Sequence, residues 1–162
     1  SYMSLDKTYK TEILFAYETD TLDPTGKIIK KTDIMPKISK KDIDKAMKAF
    51  KDNYIQSPPY YSAKKINGIR MYKYARQNIF IKPKGTKVEI KSYKIIDFKN
   101  NCLKMEVTCG SGMYVRSLAR DLAYSLNTYG YVNKLTRTHI GTYNKKNSIQ
   151  FNNIKECFQS TN

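Results

Sequence analysis

Several residue types that build small secreted or zinc-binding proteins are scarce in this chain. Its 162 residues contain no tryptophan, three cysteines and one histidine, and no Cys-x-x-Cys pair occurs. Cys102, Cys109 and Cys157 cannot all pair among themselves, and His139 is the lone imidazole. This pattern argues against a structural zinc site and a disulfide framework. We therefore expect no metal and a reducing, cytoplasmic location.

Long apolar runs are also missing. No stretch of 18 apolar residues occurs, and residues 1–7 lack the apolar core of a signal peptide. The sequence therefore predicts no membrane-spanning helix and no secretion signal. A chain of this length corresponds to about one domain and is long enough to bury a core of its own.

Acidic residues are few relative to basic ones. The chain has 14 Asp and Glu against 30 Lys and Arg, a net charge of +16. Such an excess fits a polyanionic partner, either nucleic acid or an anionic membrane. AT-rich coding would also enrich a chain in Lys, Ile, Asn and Tyr, so the arrangement of the charges has to decide.

The charge is arranged unevenly. Residues 53–88 contain no acidic residue, five interleaved tyrosines and eight basic residues, namely Lys64, Lys65, Arg70, Lys73, Arg76, Lys82, Lys84 and Lys87. A segment of one sign with aromatic rings suits a phosphate backbone with stacked bases. The alternative is an ordinary solvated, lysine-rich loop.

Periodicity and turn residues predict the secondary structure. Strands are predicted over 9–18, 27–31, 87–97, 102–109 and 138–143. Helices are predicted over 39–53, from about 114 to 126, and over 149–158. Residues 19–26 are predicted as a turn, and residues 131–137 as a loop or short helix. Cys109 falls on the apolar side of a half-buried strand, which favours a core residue over a nucleophile.

The turn Gly110–Gly112 lies between a predicted strand and a predicted helix. Such a turn can hold a phosphate, but no Gly-Lys-Ser or Gly-Lys-Thr follows it, so it is not a P-loop. Arg116 lies close behind it, at the start of the helix, where the helix dipole disfavours a cation. We therefore expect a specific anion beside Arg116; the alternative is an ordinary, partly exposed arginine.

Four sequence blocks occur in an order that resembles one known family. They are Lys7-Thr8-Tyr9 with residues 19–26 (TDTLDPTG), residues 56–68 (QSPPYYSAKKING) followed by Tyr72 and residues 74–76 (YAR), residues 107–122 (VTCGSGMYVRSLARDL), and residues 135–138 (LTRT) followed by Gly141. Together these blocks resemble the bacterial tRNA pseudouridine-55 synthases, the TruB family. The resemblance implies an α+β fold: a mixed, largely antiparallel sheet with helices packed on it.

The resemblance also implies a reaction and a site. Family members cut the C1′–N1 bond of a uridine in the T-loop of tRNA, rotate the uracil and join its C5 to C1′, without a cofactor. Arg116 would pair with the catalytic carboxylate, Tyr9 would stack on the base and could take part in proton transfer, Tyr114 would contact the substrate, and Leu135 would form an apolar floor. The residues expected to bind RNA are Lys64, Lys65, Arg70, Arg76 and Arg137.

One family motif has no counterpart in this sequence. The family's catalytic Asp lies in a G-x-L-D-P-x-A-x-G motif, ahead of the first block. Asp23 sits in a similar Leu-Asp-Pro sequence, but it belongs to the TDTLDPTG block, and we expect it to shape a turn. Residues 1–162 are therefore expected to form one partial catalytic domain, inactive alone and monomeric, with a mobile basic insertion at about 60–87.

Two alternatives remain open from the sequence. A non-catalytic RNA-binding module derived from this domain would also lack the catalytic Asp. A phosphate- or nucleotide-binding enzyme would use the turn Gly110–Gly112, but that hypothesis accounts for none of the other three blocks.

Overall fold

A computed structural model describes residues 5–140 and 143–150, with the backbone alone for 139–140 and 143–150. Its strands are β1 (Lys7–Phe15), β2 (Tyr17–Thr19), β3 (Ile28–Lys31), β4 (Tyr54–Gln56), β5 (Lys65–Ile66), β6 (Ile69–Arg70), β7 (Thr86–Val88), β8 (Ile90–Lys99), β9 (Cys102–Cys109), β10 (Gly130–Ile140) and β11 (Tyr143–Gln150). Its helices are α1 (Lys40–Asp52), α2 (Met71–Arg76) and α3 (Val115–Ser125).

The main sheet has five strands in the order β11-β10-β1-β9-β8, and every neighbouring pair is antiparallel. Alternate residues of its central strand, Tyr9, Thr11, Ile13 and Phe15, are buried, as a strand with one covered face requires. Helix α1 packs against β8, and α3 packs against β10. The predicted α+β class with an antiparallel sheet is confirmed.

Helix α1 begins where the sequence predicts it. The Asp42 amide donates to the Ser39 hydroxyl at 3.2 Å, and the Ser39 amide donates to an Asp42 carboxylate oxygen at 2.8 Å. This reciprocal capping box satisfies two N–H groups that a helix start otherwise leaves without a partner. Ile43 and Met47 lie one turn apart on α1, and both are buried in the hydrophobic core. The predicted helix and its cap are confirmed.

The predicted loop or short helix over 131–137 is wrong, because these residues belong to β10. Two bulges explain the error. Ile13 and Glu12 of β1 pair with Val132 and Lys134, which leaves Asn133 as an extra residue, and a second register shift leaves Thr138 extra. The buried residues Val132 and Leu135 are consequently three positions apart, a spacing that mimics a helix. The predicted strand 138–143 is in part the end of β10.

The helix predicted over 149–158 conflicts with the structure at its first two residues. Ile149 and Gln150 end β11. The remainder of that predicted helix lies outside the described residues.

Smaller elements lie beside the main sheet. Strands β2 and β3 form a hairpin around the predicted turn 19–26, and β4 pairs with β7. The chain between β4 and β7, residues 57–85, carries the β5–β6 hairpin and α2; we call it the basic segment. No helix in the described part of the chain is long and apolar enough to span a membrane.

Candidate active site and RNA-binding surface

Arg116 lies in the first turn of α3 and is fully buried. Its Nη1 donates to the carbonyl oxygen of Thr21 at 3.0 Å, and its Nη2 donates to the carbonyl oxygen of Tyr61 at 3.0 Å. The guanidinium group therefore bridges the turn that follows β2 and the beginning of the basic segment. The alternative of an ordinary, partly exposed arginine is wrong, because Arg116 is buried. The expectation of a specific anion beside Arg116 stays a prediction.

The glycine turn before α3 is shaped for a chain reversal. The Gly110 amide donates to the Glu89 carbonyl at 2.9 Å, so this N–H does not face a ligand. Gly112 has φ +87°, a conformation that other residues seldom adopt. Neighbouring Cys109 is buried, and burial raises the pKa of its thiol to about 12. The thiol therefore stays protonated at neutral pH and belongs to the core, as predicted.

Tyr9 and Leu135 lie on neighbouring strands of the main sheet. Tyr9 in β1 pairs with Arg137 in β10, and Thr11 pairs with Leu135, so the side chains of Tyr9 and Leu135 share one face and are both buried. Burial raises the pKa of Tyr9 above its usual value, the Cys109 thiolate that forms only at high pH adds to the rise, and the Arg137 guanidinium opposes it. Tyr9 is consequently a neutral phenol that can donate a proton.

Tyr114 is the residue immediately before α3. Burial raises the pKa of its hydroxyl, while Arg116 and a hydrogen bond with Ser62 oppose the rise. Its backbone is held by Gln56: the Tyr114 amide donates to Gln56 Oε1 at 2.8 Å, and Gln56 Nε2 donates to the Tyr114 carbonyl at 3.0 Å. The sequence pattern indicated no individual role for Gln56.

A second set of contacts joins α3 to the chain around β4. Tyr54 donates its hydroxyl proton to Asp121 Oδ2 at 2.5 Å, and Arg120 Nε donates to Asp121 Oδ1 at 3.0 Å. Arg120 Nη2 also donates to the Ser57 carbonyl at 2.9 Å. Arg120 and Asp121 belong to the sequence block around Arg116. Their partners Ser57 and Tyr54 lie more than 60 positions earlier, so sequence spacing did not indicate these contacts.

The predicted RNA-binding residues fall into two places. Lys65, Arg70 and Arg76 are exposed on the basic segment, and Lys64 is half-buried there. Arg70 Nη1 donates to the Ala63 carbonyl at 2.7 Å, across the β5–β6 hairpin. Arg137 lies apart from these residues, on the main sheet beside Tyr9.

On the basic segment, the guanidinium group of Arg76 lies over the ring of Tyr72. The distance from the guanidinium carbon to the ring centroid is 4.9 Å. This cation–π contact fixes the guanidinium plane on the surface of α2. Arg70 and Arg76 are thus oriented by contacts within the protein, and Lys65 is an exposed residue of the hairpin.

Asp23 has the turn-shaping contacts expected of it. Its Oδ1 accepts from the Thr21 hydroxyl at 2.7 Å and from the Thr25 amide at 2.9 Å, and its carbonyl accepts from the Thr19 hydroxyl at 2.7 Å. Asp23 is buried within the turn between β2 and β3. The predicted structural role of Asp23 is confirmed by these bonds.

A cleft of about 1020 Å³ opens between the β2–β3 hairpin, α3 and the basic segment. Aromatic rings line it, including Tyr60, Tyr61, Phe80 and Tyr124. Its charged lining is mixed, with the cations Lys27, Lys30, Lys82 and Arg120 and the carboxylates Glu18, Asp20 and Asp121. Phe80 keeps 46% of its surface exposed. Within the described residues, no group of three or more His, Cys, Asp or Glu side chains is arranged to hold a metal ion.

These features define an α+β domain with an antiparallel sheet, a buried arginine and a cleft lined by aromatic rings. The fold matches chains in two solved complexes. The crystal structure of a Cbf5-Nop10-Gar1 complex superposes with a TM-score of 0.60 at 17% identity, over 89% of this chain and 33% of that chain. The structure of an H/ACA RNP bound to a substrate RNA containing 2′-deoxyuridine superposes with a TM-score of 0.55 at 13% identity, over 90% and 31%.

Sequence comparison then gives the family. Residues 1–115 match the model of the TruB family pseudouridylate synthase (N terminal domain). The tRNA pseudouridine synthase B of Borreliella afzelii is 42% identical over 158 residues, covering 96% of this chain and 55% of that protein. The protein of the same description from Caldanaerobacter subterraneus is 35% identical, covering 95% and 54%. The chain belongs to the TruB family, and it spans about half the length of these curated relatives.

Proposed function

We propose that this chain is the catalytic-domain part of a tRNA pseudouridine synthase that converts uridine 55 of the T-loop into pseudouridine. The reaction breaks the C1′–N1 bond, rotates the uracil and forms a C1′–C5 bond; the C5 proton is released and a proton is returned to N1. Atoms balance without a redox partner, so no cofactor is needed. The protein would act on tRNA in the cytoplasm, as a monomer and without a metal ion.

Each site residue has a role in this proposal that fits its surroundings. Arg116 would hold the catalytic carboxylate in its ionised form, because a buried cation lowers the free energy of a nearby anion. Its two carbonyl contacts fix the direction in which the guanidinium presents its other donors. A carboxylate from the family's G-x-L-D-P-x-A-x-G motif would be the partner, and without that motif the chain alone would be inactive.

The substrate uridine would be bound by the aromatic and apolar residues on and near the main sheet. Tyr9 would stack on a base that has left the RNA helix, and Leu135 would lie beneath the uracil. Because burial raises the pKa of Tyr9, its hydroxyl would enter the reaction protonated and would take part in proton transfer from that state. Tyr114 would contact the same nucleotide from the start of α3.

The basic segment and the cleft would bind the rest of the RNA. Exposed cations on the segment suit phosphates, and rings such as Phe80 and Tyr60 suit unstacked bases. We also propose that the segment moves when RNA binds, because its like charges repel until phosphates neutralise them. The observation that carries the proposal is the complete burial of Arg116 between the carbonyls of Thr21 and Tyr61, at the family's arginine position.

The test uses protein expressed from its complete reading frame and tRNA transcribed without modifications. Pseudouridine is measured by mass spectrometry of the digested RNA, with a transcript carrying cytidine at position 55 as the control. Conversion at position 55 alone is the expected result. RNA binding without conversion would favour the alternative of a non-catalytic RNA-binding module derived from this domain.

A further inference from the structure

Gln56 is positioned to control the start of helix α3. It is the last residue of β4, and only 1% of its surface is exposed. Its side-chain amide pairs with both backbone groups of Tyr114, in the manner of one residue of a β-ladder. Its Nε2 also donates to the Tyr54 hydroxyl at 2.9 Å. Every polar atom of this buried amide therefore has a partner.

The start of α3 has no capping side chain of its own. Tyr114, the residue at the cap position, makes no side-chain capping bond, and the first turn of α3 contains no acidic residue. The Tyr114 carbonyl accepts the first helical hydrogen bond, from Leu118 at 3.0 Å, as well as the bond from Gln56. Gln56 does not supply the missing capping bond, but its two bonds to Tyr114 orient the peptide that opens the helix.

Arg116 follows Tyr114 by two residues, within the same turn. A change in the direction of the first turn would move the guanidinium group relative to the carbonyls of Thr21 and Tyr61. An electrostatic partner in a buried site is sensitive to such movement, and a misplacement of about 1 Å can cost on the order of 100-fold in rate.

Gln56 also marks the point where the basic segment leaves the body of the protein. Its backbone pairs with Thr86 of β7, so the two ends of the segment are joined at this position. A movement of the segment would therefore act on the β4–β7 pair at its base, in addition to the direct contact between the Tyr61 carbonyl and Arg116. The Gln56 side chain is the hydrogen-bonded connection from that pair to Tyr114.

We propose that Gln56 is a positioning residue for the reaction: its amide fixes Tyr114, sets the aim of Arg116 and couples binding of RNA by the basic segment to the geometry of the active site. This inference rests on the proposed function. It assigns Gln56 no contact with the substrate.

The first experiment separates rate from affinity in the protein from the complete reading frame. Gln56→Met keeps the length of the side chain but removes all its hydrogen bonds. Gln56→Glu keeps the acceptor for the Tyr114 amide. Tyr54→Phe, the control, removes the bond from Gln56 to the Tyr54 hydroxyl together with the Tyr54–Asp121 bond, but leaves both bonds between Gln56 and Tyr114 in place. We expect Gln56→Met to lower the single-turnover rate at saturating tRNA by about 10- to 100-fold with little change in Kd. Gln56→Glu should lower this rate less, and Tyr54→Phe should keep it within about threefold of the wild-type rate.

A double-mutant cycle with Arg116→Lys tests whether Gln56 acts through Arg116. If it does, Gln56→Met should cost less than about threefold in the Arg116→Lys background, because the aimed group is already lost. Equal costs in both backgrounds, or a wild-type rate in Gln56→Met alone, would overturn the proposal. If Gln56→Met does not fold, Gln56→Glu takes its place in the cycle.

A readout without activity separates this proposal from the proposed function. Hydrogen exchange of the Tyr114 and Leu118 amides should speed up in Gln56→Met, with Tyr54→Phe unchanged, whether or not the protein makes pseudouridine. A wild-type protein that modifies no tRNA would overturn the proposed function. Unchanged protection of these amides in Gln56→Met would overturn the positioning role.

Discussion

The first turn of α3 and the basic segment are built on opposite principles, although the Arg116–Tyr61 contact joins them. Around α3, the proposed catalytic groups are removed from water: Arg116, Tyr9 and Leu135 are each at most 3% exposed. On the basic segment, Lys65, Arg70 and Arg76 are exposed and face solvent with one sign of charge. Buried groups act through fixed geometry, whereas exposed cations act through screened charge. Changes in the two regions should therefore alter different constants.

Arg116→Lys should have the largest effect on the reaction. Lysine carries the charge but not the planar fork that donates to Thr21 and Tyr61 together. We expect the single-turnover rate at saturating tRNA to fall by about 100- to 1000-fold, the scale for losing an oriented charge in a closed site. Retained tRNA affinity, measured by filter binding, would support the division between regions; an equal loss of affinity would break it.

Replacing Lys64, Lys65, Arg70 and Arg76 together by Ala should change binding instead. If each contacts one phosphate, the slope of log K against log salt should fall in magnitude by roughly 3 to 4. The matched control replaces Lys41, Lys45, Lys48 and Lys51 of α1, which removes the same charge elsewhere. The rate on bound RNA should change little in both variants. An equal change of slope in the control would show that the tRNA responds to total charge and not to this segment.

Two substitutions at Tyr9 distinguish base stacking from proton transfer in the buried region. Tyr9→Phe keeps the ring and loses the hydroxyl, while Tyr9→Leu loses both. Stacking of a base on an aromatic ring contributes about 1–3 kcal/mol, so Tyr9→Leu should be roughly 5- to 150-fold worse than Tyr9→Phe in kcat/KM. Equal activity of the two variants would remove stacking from the role of Tyr9 and leave proton transfer.

Ser39→Ala should have the smallest effect, and on stability alone. Loss of the bond from the Asp42 amide should lower the free energy of unfolding by about 1 kcal/mol, measured in urea. Hydrogen bonds from the Ser39 backbone and side chain lower the pKa of Asp42 below 3.8. The contribution of this carboxylate is therefore present above that pH and is lost as the pH falls through the lowered pKa. A changed tRNA affinity in Ser39→Ala would contradict the assignment of α1 to scaffold.

Local patterns in the sequence were sufficient for α1, α3 and the strands with regular alternation. Ser39 and Asp42 carry their signal within four residues, and Leu103, Met105 and Val107 alternate without interruption. Most of strand β10 was not predicted, because Asn133 and Thr138 are bulge residues without a partner position in β1, and they can be recognised only when the two strands are aligned. Its buried positions therefore lost the period of two.

The candidate site also depends on contacts between residues that are far apart in the sequence. The family blocks identified Arg116, Tyr9 and Leu135 as candidates, but the partners of Arg116 are backbone carbonyls of Thr21 and Tyr61, which no side-chain motif encodes. Gln56 lies 58 positions from Tyr114. Its part in holding α3 appears only when the fold brings β4 to the helix start.

The central position of β1 has a consequence for how the chain folds. Both neighbours of β1 in the main sheet are made much later: the Thr138 hydroxyl bonds to the Thr8 carbonyl, 130 positions earlier. Pairings of such sequence separation give a high contact order, which slows folding because long loops must close before any contact rewards them. During synthesis both edges of β1 stay unpaired until β9 and then β10 have left the ribosome, and an unpaired strand edge can associate with other chains.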